Sequence, residues 1–243
     1  MARWLAKISA SKRDKRLVQQ HLTTKALVIE EVGQETFVVS PRFQSCKDVQ
    51  EIRAAAAELI ANVNLAIQVV ERHFEGVLFE DTVAEQRNGN LHRTVFAEAH
   101  SYGIGTATAD AVAIGPNGKP LSSPASSRSF AERMLALFDR DDRVREVAFV
   151  LGAEPISYQN LFIVYETVKG LMSPKGDRAD WQALVNLGWI SEDDSKRLWE
   201  TLGYYHHGHP RGSLACGPAL ALDKAAQMVG DLFRRMVDHL QPT

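Results

Sequence analysis

Val77-Leu78-Phe79, then Arg87-Asn88-Gly89-Asn90, then Leu91-His92-Arg93-Thr94-Val95-Phe96 is the stretch that decides the fold class. Asn-Gly between two apolar runs is the strongest short-range hairpin signal, because both positions tolerate the positive φ of the tight turn that matches strand twist. Working backwards, Ala26-Leu27-Val28-Ile29 and Thr36-Phe37-Val38-Val39 flank Gly33-Gln34-Glu35 and read as a second hairpin. Between the hairpins, Val49, Ile52, Ala56, Leu59, Ile60, Val63, Ile67 and Val70 recur at helical spacing. That pattern predicts a helix of more than about twenty residues, opened by Ser45 with Asp48 three residues on and ending near Phe74 and Gly76. Thr106 to Ile114 reads as a further extended stretch. Residues 1–115 are therefore expected to form an α+β domain: an antiparallel sheet of about five strands with one long helix across a face.

Residues 1–16 carry Arg3, Lys7, Lys12, Arg13, Lys15 and Arg16 against Asp14, with Trp4, Leu5 and Ile8 interleaved. This basic run suits an arm for RNA or a membrane surface, but a solvated lead-in to the first element is the plainer expectation.

From Gly115 to Ser127 the composition shifts to Gly, Pro and Ser, so residues 116–127 read as a linker. Residues 128–243 read as a bundle of five or six helices. Ser129 with Glu132 makes a capping box ahead of Met134, Leu135 and Phe138, and Val144, Val147, Val150 and Leu151 follow until Gly152. Ser157 opens a pattern through Leu161, Phe162, Val164, Tyr165 and Val168, and Trp181, Leu184, Val185 and Leu187 form a short one. Ser191 and Asp194 start another that carries Leu198, Trp199 and Leu202. The last runs from Pro218 to Leu240, with Leu222, Ala226, Val229, Phe233 and Met236 on one face.

Composition narrows the function classes. The chain has 243 residues, 45% hydrophobic and 24% charged, with 28 basic against 30 acidic residues and a net charge of −2. No global field recruits nucleic acid or an anionic membrane. Cys46 and Cys216 give no disulfide framework, which fits a reducing cytoplasm. No run of about 18 apolar residues appears, so no membrane span is expected.

The chemistry concentrates at Tyr204-Tyr205-His206-His207-Gly208-His209-Pro210-Arg211-Gly212, which holds three of the eight histidines. His206 or His207 with Arg211 supplies the side chains of metal-independent RNA cleavage, a proton-transferring imidazole beside a phosphate-binding guanidinium. Tyr204, Tyr205 and His209 are candidate ligand contacts, the tyrosines as stacking platforms. Alternatively the three histidines bind a metal, which requires the helix to unwind at Gly208, because neighbouring residues point about 100° apart. The plainer alternative is aromatic packing at a helix end. Cys46 lies at a helix start, an environment that lowers a thiol pKa, but no partner base marks it. Gly103-Ile104-Gly105-Thr106 lacks the third glycine and the lysine of a phosphate loop. Asp141-Asp142 and Asp193-Asp194 stand where helices begin, as the helix dipole favours.

A helix, a His-Gly step, a loop and a final amphipathic helix with an early alanine pair, Ala225-Ala226, resemble the C-terminal half of HEPN domains over residues 128–240. These are helical bundles of bacterial toxins, defence proteins and RNases, in which an arginine four to six residues before a histidine cleaves RNA without metal, commonly across a dimer. The resemblance implies RNA, a nucleotide or a protein partner as ligand, and a homodimer as the assembly. The arginine is absent: Glu200, Thr201 and Leu202 occupy its positions. The letters do occur as Arg87-Asn88-Gly89-Asn90-Leu91-His92, on a hairpin pattern instead of a helix. Residues 161–240 are also similar to the tail of uncharacterised bacterial proteins, with Tyr165, Glu166, Trp181, Trp199 and His207 as the matching positions. The sequence reading is thus an interaction or sensor protein with a HEPN-like bundle that binds without cleaving. The alternatives are a ribonuclease using His206, His207 and Arg211, and a metal-binding module. The sequence identifies no cofactor.

Overall fold

The computed structural model describes residues 3–22, 27–87, 90–96, 128–152, 155–173, 181–206 and 217–241. The chain divides into two compact units, Met1–Leu135 and Ala136–Thr243. The fold is α+β, with an antiparallel sheet in the N-terminal part and a mostly helical C-terminal part.

In the first unit β1 (Arg3–Ser9), β2 (Val28–Val32), β3 (Glu35–Val39), β4 (Leu78–Arg87) and β5 (Asn90–Val95) form one sheet in the order β2-β3-β1-β4-β5. Every pairing is antiparallel. The two hairpins stand where turn chemistry put them. Val32 pairs with Glu35 across Gly33, whose φ of 67° is the left-handed conformation that glycine adopts without cost. Arg87 pairs with Asn90 around Asn88 and Gly89, which lie outside the described residues.

The basic N-terminus is not a solvated lead-in: β1 is the middle strand. Leu5 and Ala6 are fully buried and Ile8 nearly so. Arg3 and Lys7 keep their stems on the sheet and their charges on acids of neighbouring strands: Arg3 with Glu30, Lys7 with Glu35 at 3.2 Å and Glu80 at 2.8 Å. After it, α1 (Lys12–His21) is capped by Ser11, whose hydroxyl accepts from the Asp14 amide.

A short α2 (Pro41–Gln44) precedes α3 (Val49–Val70), 22 residues long. Ser45 follows α2 and does not open α3; the cap is Asp48, which accepts from the Glu51 amide at 2.9 Å. α3 also stops at Val70, short of Phe74, because the chain turns at Glu71 and is pinned to the helix further on. The Asn64 side chain bonds both the amide and the carbonyl of Val77 at 2.8 Å, and Gly76 sits against it at φ 109°. By length and composition α3 could cross a membrane, but Ile52, Ala56, Ile60, Val63, Ala66 and Ile67 are buried in this unit, where it packs on β4 and β1.

The helices that follow are α4 (Phe130–Phe138), α5 (Asp142–Gly152), α6 (Tyr158–Met172), α7 (Gln182–Asn186), α8 (Glu192–His206) and α9 (Leu222–His239). The capping box of α4 is complete. The Glu132 amide donates to the Ser129 hydroxyl at 3.1 Å and the Ser129 amide to the Glu132 carboxylate at 2.8 Å. α6 lies centrally in the second unit, in contact with α5, α7, α8 and α9. α9 buries Ala225, Val229, Leu232, Phe233, Met236 and Val237, the 3–4 spacing of one helical face. The expected strand 106–114, the glycine loop 103–106 and the linker 116–127 lie outside the described residues.

Candidate functional site

The chemistry-rich segment begins inside α8. Ser191 accepts from the Asp194 amide at 3.1 Å, and Glu192, Asp193 and Asp194 fill the first turn, where the helix dipole favours acids. Ser195, Leu198, Thr201 and Leu202 form its buried stripe. Facing it, α6 buries Leu161, Val164, Tyr165 and Val168, and Tyr165 and Ser195 share a hydrogen bond of 3.1 Å in the interface.

At the C-terminal end of α8 this packing becomes aromatic. Tyr205 lies flat on Tyr158, with centroids 4.0 Å apart and planes 9° from parallel; His206 lies flat on Phe162 at 4.2 Å and 13°. Tyr158 and Phe162 are four residues apart and so share a face of α6, and each takes one of two consecutive rings of α8. Tyr204 meets Tyr205 edge-on at 5.1 Å. Tyr205 stays 41% exposed, which leaves ring surface open to a ligand.

Three side chains hold the segment that leads into α9. The Tyr158 hydroxyl donates to the Leu220 carbonyl at 2.8 Å, the Leu220 amide donates to the Thr201 hydroxyl at 3.1 Å, and Arg197 Nε donates to the Pro218 carbonyl at 3.1 Å. Burial, and then the neighbouring Tyr205 and Asp223, push the Tyr158 phenol above its ordinary pKa.

Tyr204, Tyr205 and His206 are therefore brought together, on the last turn of one helix. His207, His209 and Arg211 lie outside the described residues, as does Cys216. α8 remains helical through His206. Among the described residues no group of three or more His, Cys, Asp or Glu side chains is placed to hold a metal. Sequence reasoning placed Phe162 in this helix only as part of its apolar pattern and missed Tyr158; their four-residue spacing on α6 is the one signal that could have marked them as the partner rings.

The remaining candidates carry less chemistry. Arg87 ends β4 and His92 lies on β5 opposite Glu85, so the HEPN-like letters there do sit on a hairpin. Cys46 falls between α2 and α3, and its pKa is raised, not lowered: burial dominates, with Glu51 adding to it. The helix start that would have stabilised a thiolate is already occupied by the Asp48 carboxylate. An open cleft of about 430 Å³ between the α7–α8 turn and α9 is walled by Trp189, Ile190, Met228 and Leu232. Its acids are engaged locally, Asp194 by the Ser191 hydroxyl at 2.8 Å and Asp231 by Arg234 at 3.0 Å. No family model, curated protein or solved structure matches this chain.

Proposed function

We propose that this chain is a binding protein that does not cleave its ligand, with the HEPN-like helical unit as its interaction module and the end of α8 as the contact point. The reading rests on the paired stacking of Tyr205 on Tyr158 and His206 on Phe162. A ring held flat against a neighbour is committed to packing, and the exposed part of Tyr205, with Tyr204 beside it, offers a surface for another ring. The ligand class that fits is planar: the base of a nucleotide or of RNA, or an aromatic side chain of a protein partner. Residues 136–243 hold 12 basic and 15 acidic side chains, so ring contacts suit this unit better than phosphate contacts.

Adenosine and uridine, which carry no phosphate, test the contact directly when titrated into the full chain. Binding that is weakened by Tyr205→Ala and indifferent to salt supports the proposal. RNA incubated with the protein is expected to stay intact. Cleavage that disappears in His206→Ala would overturn the proposal in favour of a ribonuclease built on His206, His207 and Arg211. Failure of every nucleoside and RNA leaves the protein partner as the ligand of the same rings.

A further inference from the structure

The cations of the first unit are distributed unevenly between paired and unpaired. On the sheet each described arginine or lysine has a carboxylate: Arg3 has Glu30, Lys7 has Glu35 and Glu80, Arg87 has Glu85 and Arg93 has Glu35. On α1, Lys15 reaches Glu31 at 3.2 Å, whereas Lys12, Arg13 and Arg16 are exposed with no ion pair among the described residues. At about 100° per residue these three share one arc of the helix with Gln19 and Gln20, while Asp14 and Val18 are buried on the opposite side.

At the other end of α1 the contacts come from residues that have exposed cations as sequence neighbours. His21 bonds Glu71 at 2.9 Å, and its carbonyl accepts from the Ser129 hydroxyl. The residues next to those two partners are Arg72 and Arg128, both exposed and with no ion pair among the described residues. The acids nearby are mostly engaged: Glu31 by Lys15, Glu71 by His21, and Glu132 by the Ser129 amide. Glu75 is the exposed exception.

We infer that the outer face of α1, with Lys12, Arg13 and Arg16, is a docking surface for a nucleic-acid backbone, which it grips through phosphates without reading sequence. Three cations on one arc of a helix of roughly 15 Å suit a polyanion with one charge per about 1.7 Å of duplex axis. No aromatic ring lies on the arc to stack a base. Nor does an apolar side chain point outward from it to enter a bilayer, which a membrane-surface helix needs. The near-neutral net charge of −2 is no obstacle, because the field that steers a polyanion at physiological salt is local. The inference is independent of the reading of α8.

The test is fluorescence anisotropy of labelled RNA and DNA duplexes of about twenty base pairs, of unrelated sequence, titrated with the full chain over a range of salt. For three phosphate contacts the log–log slope of affinity against salt is expected near about −2.7 and to be alike for every sequence. Replacing Lys12, Arg13 and Arg16 together by Gln should flatten that slope by roughly 2.5 and weaken binding at low salt at least about tenfold. The thermal midpoint should stay unchanged, since all three are exposed. Lys47→Gln, an exposed cation at the other end of the unit's long helix, and Tyr205→Ala should leave the slope alone. Absence of duplex binding at low salt, a slope the triple substitution does not change, or binding only to phosphatidylserine vesicles or to an acidic peptide would each overturn the inference.

Discussion

The Tyr158 hydroxyl donates to the backbone carbonyl of Leu220 at 2.8 Å, so one side chain of α6 both stacks on α8 and holds the segment that starts α9. Burial raises the Tyr158 pKa above the ordinary tyrosine value. A raised pKa means that the folded state binds the proton more tightly than the unfolded one. The contribution is therefore present in full below the ordinary tyrosine range and is lost as pH rises through the folded value. Alkaline absorbance titration should show Tyr158 among the tyrosines that ionise late, and Tyr158→Phe should lower the late amplitude by one tyrosine. The same substitution should cost about 0.5–1.5 kcal/mol in urea unfolding at neutral pH.

His206 separates packing from chemistry. If its ring serves to cover Phe162, then His206→Ala should cost about 0.5–1.5 kcal/mol beyond the area lost, and His206→Phe should restore it. Stability restored by Phe together with unchanged nucleoside binding is the outcome expected of a binding protein. A ligand or activity that only histidine supports would point to the imidazole nitrogens.

Glu35 receives Arg93 first and Lys7 second, and both hold its carboxyl below the ordinary range. With a depressed folded pKa, the stabilisation is present above the unfolded pKa and is lost as pH falls through the folded value. The partners are partly exposed, so salt should shrink the effect. Denaturant midpoints followed into acid should fall less steeply for Glu35→Gln than for the natural chain, and high salt should bring the two curves together.

The parts of the fold legible in the sequence are those written in local chemistry. Gly33 and Asn88-Gly89 marked hairpins because a tight turn needs positive φ, and Ser129 with Glu132 marked a helix start because both halves of the box lie within four residues. What stayed hidden depends on distant partners. Arg3 and Lys7 looked like a solvated tail, since the acids that let them sit on a central strand come from β2, β3 and β4. Likewise, Tyr205 and His206 were visible as a cluster, but Tyr158 and Phe162 become their partners only once α6 and α8 pack.

Asp81 lies in β4 at φ 49°, unusual for a residue with a side chain, and Arg53 of α3 grips it through two bonds of 2.9 and 3.1 Å. The β1–β4 pairing shifts register here, from Ala6 opposite Val83 to Ile8 opposite Phe79, and Arg53 also stands over the Phe96 ring at 4.8 Å, so this bulge, α3 and the residue after β5 meet. Asp and Asn tolerate this backbone, whereas a β-branched residue pays about 1–2 kcal/mol for it. Asp81→Asn should therefore lose the ion pair alone, and Asp81→Val should lower the denaturant midpoint further. Equal midpoints for the two variants would show that the backbone there relaxes.

Gly203 sits inside α8, one turn past Trp199 and one turn before His206, and a Cβ built on it meets nothing within 4 Å. Glycine in a helix interior costs roughly 0.5–1 kcal/mol relative to alanine, mostly through the entropy of the unfolded chain. Gly203→Ala should accordingly stabilise the protein by about that amount, read as a raised thermal midpoint. Nucleoside titration of the same variant then locates the ligand. A stabilised variant that binds as before places the ligand on the Tyr204 and Tyr205 rings away from the α8 backbone. A stabilised variant that binds poorly shows that the missing side chain lets the ligand approach the helix closely, since a methyl group that harms nothing in the free protein can act only on what docks there.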